Sequence, residues 1–146
     1  MYSTETTRTE EWVVCFSKAG RKHWIQKFLN KDFQHCYAFK LSPGGKFFMI
    51  VDPIRSYTMI DLMPANEEAF NELTENATFL TVIATIELSK DRGHFCRFNC
   101  VEMVKALIGL KSFWTFTPYQ LFRRLEKWAI RSEQEKADAP AVNSVK

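Results

Sequence analysis

An α+β domain, with an antiparallel sheet of about five strands and helices packed against it, is the fold class this sequence predicts. Two patterns carry that expectation. Runs rich in β-branched and aromatic residues are bounded by turn signals, above all HCYAFKLS and KFFMIVDP on either side of Pro43-Gly44-Gly45. Between and after them lie segments with apolar residues at helical spacing, each opened by a helix-start signature.

The elements follow in order. EWVVCFS (11–17) reads as a short strand and HWIQKFLN (23–30) as a helix of one or two turns. HCYAFKLS and KFFMIVDP form a hairpin, and SYTMIDLMP is a third run of strand formers. ANEEAFNELTEN follows as a helix with carboxylates in its first turn and with Phe70 and Leu73 on one face. TFLTVIATIEL is a further β-branched strand. After the loop SKDRGHFCRF, Asn99 caps a helix whose apolar stripe is Val101, Val104, Leu107 and Ile108 and which Gly109 ends; Glu102 at its third position completes a capping-box pattern. The last helix starts with Thr117 as N-cap, Pro118 at the first position and Gln120 three residues past the cap, and it turns Leu121, Leu125 and Trp128 inward.

With 146 residues, 46% of them hydrophobic, the chain suits one domain that buries roughly two-thirds of its unfolded surface. Thirteen phenylalanines and four tryptophans make an aromatic-rich core the expectation. Residues 1–10 and 132–146 are polar and poor in large side chains, so flexible tails are expected on either side of a single domain over 11–131. No stretch approaches the ~18 apolar residues of a membrane span, and the N-terminus lacks the pattern of a signal peptide. Cysteines 15, 36, 96 and 100 show no framework spacing. A soluble protein in a reducing compartment such as the cytoplasm, with no membrane partner, is therefore expected.

The chemistry converges on three residues. Cys100 lies in the first turn of its helix, where unsatisfied N–H groups and the positive end of the helix dipole favour thiolate and can steady an oxyanion; Glu102 opposes this with nearby negative charge. His35 opens the first hairpin strand. A hairpin centred between Pro43 and Gly44 sets it opposite Asp52, within reach of an imidazole–carboxylate hydrogen bond. Cys100, His35 and Asp52 thus form a candidate nucleophile, base and orienting acid. Each also has an ordinary structural reading: a buried free thiol, a hydrogen-bonded strand histidine, and an Asp-Pro turn start.

Two other functions compete. His94, Cys96 and Cys100, with His35 and Cys36, contain metal-ligand types, but H-x-C-x-x-x-C is not a paired zinc spacing and residues 35 and 36 point to opposite faces of a strand, so no metal and no cofactor are expected. Arg123, Lys127 and Arg131 recur every four residues along the last helix, beside Arg124 and near Trp114 and Trp128, a face that can meet a phosphate backbone or a protein partner, although such stripes are usually the solvated side of an amphipathic helix. A net charge of +3 gives no ground for nucleic acid.

The order His35, Asp52, Cys100, with Asn99-Cys100 leading an apolar helix, resembles the permuted branch of the papain-like fold, which includes lecithin-retinol acyltransferase-type enzymes and small bacterial and viral amidases. The segments around His35 and from Cys96 to Trp128 also resemble small proteins of tailed bacteriophages. The likeness spans roughly residues 12–128 in element order. It implies a cysteine amidase or peptidase in which Cys100 attacks a carbonyl, His35 moves the proton and Asp52 fixes the imidazole tautomer. Its substrate would be a peptide, amide or acyl ester. The acyltransferase members carry a histidine where this chain has Asp52, and they often have an apolar membrane segment that this chain lacks, so hydrolysis is expected over phospholipid acyl transfer. The alternative is an inactive papain-like scaffold in a structural or binding role, for example as a virion component.

Overall fold

The computed structural model describes residues 7–18, 30–54, 57–87 and 99–138. Strands β1 (Thr7–Ser17), β2 (His35–Leu41), β3 (Phe47–Ile54) and β4 (Tyr57–Pro64) are followed by helix α1 (Glu67–Thr74), strand β5 (Ala77–Glu87) and helices α2 (Cys100–Ile108) and α3 (Pro118–Asp138). The five strands form one sheet in the order β4-β3-β2-β1-β5, antiparallel at every junction. An α+β fold with a five-stranded antiparallel sheet is therefore what the chain adopts. The helix expected over 23–30 lies outside the described residues except for Asn30.

Strict alternation along the strands gives the sheet two apolar faces. On one, Trp12, Val14, Phe16, Cys36, Ala38, Val51, Val82 and Ala84 pack against Val101, Val104 and Ile108 of α2 and Leu121 and Leu125 of α3. On the other, Cys15, Phe39 and Ile50 pack with Tyr37, Phe48, Phe70 and Leu73, the last two from α1. Helices therefore cover both faces, and the apolar stripes expected on α1, α2 and α3 are the sides that meet the sheet.

The hairpin register differs from the expected one. Ala38 pairs with Val51 and Leu41 with Phe48, which centres the β2–β3 hairpin between Gly44 and Gly45 rather than between Pro43 and Gly44. The reason lies in the turn: the Gly45 N–H donates to the Ser42 carbonyl, with Pro43 second in the turn and Gly45 at φ 68°, a left-handed value suited to glycine. Moving the centre by one residue moves every partner by two, so side chains keep their faces. Asp52 thus falls across from Tyr37 on the continued register, and His35 is its diagonal neighbour.

Two boundaries also differ. β1 begins at Thr7, inside the expected tail, because it pairs with β5 all the way to Glu87. α3 continues to Asp138, so the first residues of the segment read as a C-terminal tail are helical. The α2 and α3 starts are as the sequence implies, with one exception. Asn99 Oδ1 accepts from the Val101 N–H at 3.0 Å, and Thr117 and Gln120 cap each other reciprocally at 3.2 Å. Glu102, however, pairs with Lys105 Nζ at 2.6 Å instead of turning back to close a capping box.

Candidate active site

Three elements deliver the site to one end of the sheet. His35 is the final rung of the β1–β2 ladder, opposite Ser17, and Asp52 lies near the matching end of β3. Antiparallel pairing brings the two onto one face, where His35 Nε2 and Asp52 Oδ1 are 2.6 Å apart. Both side chains are about one-fifth to one-quarter exposed, at 21% and 24%. Cys100 arrives from the other face at the N-terminus of α2, half-buried and free of any disulfide. Its sulfur interacts with the His35 ring and with the thiol and backbone N–H of Cys36. With Nε2 spent on Asp52, Nδ1 is the ring nitrogen left to the thiol.

Position at the end of a strand explains how one sulfur meets both residue 35 and residue 36. Cys36 points into the core beneath α2 and α3, whereas His35 lies on the opposite face beside Tyr37, with ring centroids 6.1 Å apart. A helix terminus at the rim of the sheet can contact both. Within the interior of a strand the sheet itself would separate them.

The charges support one another. The Cys100 thiol is lowered to about 5, first by the Cys36 thiol, which donates to the sulfur, against the opposing effect of burial, and then by the His35 ring, its positive charge and the Cys36 N–H. Burial pulls His35 down, but hydrogen bonds to Asp52 and Cys100, with the negative charge of both, raise it to about 9. The two titrate as a unit, and the thiolate–imidazolium pair prevails between those limits. Cys36 moves the opposite way: burial first, then the neighbouring Cys100 and Asp52 charges, push its thiol well above the ordinary range. It is therefore a hydrogen-bond donor and not a second nucleophile. Cys15, also buried, is pushed up to about 12.

Asn99 does two jobs at this corner. Its Oδ1 caps α2, and its Nδ2 donates to the Phe116 carbonyl at 2.9 Å, tying the α2–α3 loop to the residue before Cys100. When protonated, the Cys100 thiol can donate to the same Oδ1 at 3.5 Å. The Cys100 N–H, at the first helical position, stands outside the ladder of the helix.

All three predicted residues therefore come together. Cys36 was not among them as a site residue, because alternation along β2 turns it away from His35; the signal that finds it is the place of both at the strand end. His94 and Cys96 lie outside the described residues, and among the described residues no cluster of three or more His, Cys, Asp or Glu side chains is arranged to hold a metal. Among the described residues no helix is long and apolar enough to cross a membrane. Of the basic stripe, Arg123, Arg124 and Lys127 are exposed, and Arg123 pairs with Glu126 at 2.7 Å. The chain matches no family model, no curated protein and no solved structure.

Proposed function

We propose that this protein is a cysteine hydrolase of the amidase or peptidase type, built on a permuted papain-like scaffold. The observation that carries the reading is a half-buried imidazole held between a carboxylate at 2.6 Å and a thiol at a helix N-terminus. Such an arrangement supplies a nucleophile, a proton carrier and an orienting group without any cofactor.

In the acylation step the Cys100 thiolate forms a bond to the carbonyl carbon, and the carbonyl electrons move to oxygen beside the Cys100 N–H. The His35 imidazolium then gives its proton to the leaving nitrogen or oxygen as that bond breaks, leaving a thioester on Cys100. In the second step neutral His35 takes a proton from water, the hydroxide adds to the thioester, and the thiolate departs with the carboxylic acid as product. Asp52 holds Nε2 throughout, which keeps the ring oriented and stabilises its charged form.

The test is the pH profile of Cys100 alkylation by iodoacetamide in the native protein and in His35→Ala. A rise through about pH 5 in the native protein, displaced upward without His35, is the expected result. Matching profiles centred near the ~8.5 of a free cysteine would instead leave an inert scaffold.

A further inference from the structure

The loop between α2 and α3 and the first turn of α3 show four aromatic side chains to solvent: Phe113 is 87% exposed, Trp114 82%, Phe116 52% and Tyr119 40%. So many exposed aromatic side chains in one short segment mark a contact surface. The segment is firmly anchored. Buried Lys105 donates to the Thr115 carbonyl at 3.2 Å, Ser112 and Thr115 hydroxyls lie 2.8 Å apart, and Gln120 Oε1 accepts from the Phe116 N–H at 2.9 Å.

Two of the four aromatics are tied to the segments that carry the thiol and the imidazole. The Phe116 carbonyl is held by Asn99, the residue before Cys100, and Tyr119 packs against Phe33 at 5.3 Å between ring centroids, two residues ahead of His35. Phe116 is thus held through its backbone next to the helix end that carries the sulfur, and Tyr119 lies against the segment that leads into the imidazole. We propose that these two residues form an apolar ledge beside Cys100 that holds a large apolar group attached to the scissile carbonyl. The site then favours acyl donors bearing an aromatic side chain or a long acyl chain over small ones. This inference rests on Cys100 being the nucleophile. Aromatic faces reward such a group beyond the area buried, and a surface fixed in advance by hydrogen bonds loses little freedom on binding it.

The test compares alkylation rates at Cys100 in the full chain, located by peptide mass, for iodoacetamide, N-benzyl iodoacetamide and N-hexyl iodoacetamide, each normalised to its rate with glutathione. One or both bulky reagents should gain roughly tenfold over iodoacetamide in the native protein. That gain should shrink several-fold in Phe116→Ala and in Tyr119→Ala and be partly kept in Phe116→Leu. Whether the benzyl or the hexyl arm gains more distinguishes an aromatic side chain from an acyl chain. Normalised rates that are flat across the three reagents, or a gain that survives Phe116→Ala, would overturn the ledge. Failure of the underlying reading has a different signature: an ordinary pH midpoint for iodoacetamide alone.

Discussion

His35 occupies the last rung of its ladder, and the consequences of that position are measurable one side chain at a time. Replacing Asp52 with Asn removes the negative charge that raises the imidazole and leaves only a neutral acceptor for Nε2, so the His35 titration followed by NMR should fall from about 9 toward its ordinary range. Replacing Cys36 with Ala removes the donor that most lowers the Cys100 thiol, so the midpoint of alkylation should move up from about 5. A packing role for Cys36 alone would lower stability but leave that midpoint in place. The linkage to folding has opposite signs for the two partners. His35, raised above its ordinary 6.5, contributes stability fully present below that value and lost as pH rises through about 9. Cys100, lowered from 9.0, contributes stability fully present above that value and lost as pH falls through about 5.

At the scale of elements, caps and cross-strand pairs decide where chain segments begin and end. Gly109 closes α2 at φ 68°, and a Cβ there would lie 3.1 Å from the Thr85 carbonyl oxygen on β5. Gly109→Ala therefore meets both backbone strain and a close contact, and urea unfolding should show a loss of about 1–2 kcal/mol. On β1 and β2, Glu10 gathers Lys40 at 2.7 Å, Arg8 at 2.9 Å and the Trp12 indole N–H at 3.1 Å, while Lys40 also sits 4.9 Å over the Trp12 ring. Burial tends to raise the Glu10 carboxyl, but Lys40 leads the contacts that bring it below its ordinary 4.5. With the folded value depressed, its contribution holds above 4.5 and is lost as pH falls through the lowered folded value. Glu10→Gln should cost about 1–3 kcal/mol near neutral pH, because it leaves Lys40 half-buried beside a neutral group, and the loss should fade on acidification.

These elements also show which parts of the chain could be read in advance. Helix starts at Asn99 and Thr117 were legible because capping is a local matter of side chain and nearby N–H. The His35–Asp52 pairing was legible for a subtler reason. The turn was placed one residue early, yet a two-residue change of partner preserves the face, and long polar side chains reach a diagonal neighbour. The extent of β1 was not legible, because Thr7–Glu10 has no apolar alternation of its own and is drawn into the sheet by β5. Glu102 went astray through a tertiary effect: buried Lys105 needs a counter-charge more than the helix needs a second cap.

At the scale of the molecule, β4 and β5 are the outer strands of the sheet among the described residues. Ile60 (70% exposed) and Leu62 (58%) stand on the surface of β4. A flat apolar margin of this kind promotes association between chains, so Ile60→Lys should raise the concentration at which the protein stays monodisperse by light scattering. Such long-range features had no signature in the sequence, where SYTMIDLMP reads equally as an inner or an outer strand.

The parts that meet at the rim of the sheet are laid down far apart along the polymer. A ribosome that has released residues up to Glu87 has already made His35, Cys36 and Asp52, but the sulfur of residue 100 has yet to join them. The lowering of the Cys100 thiol therefore waits on docking of α2, and the rate at which a growing or refolding chain gains it is a clock for completion of the domain.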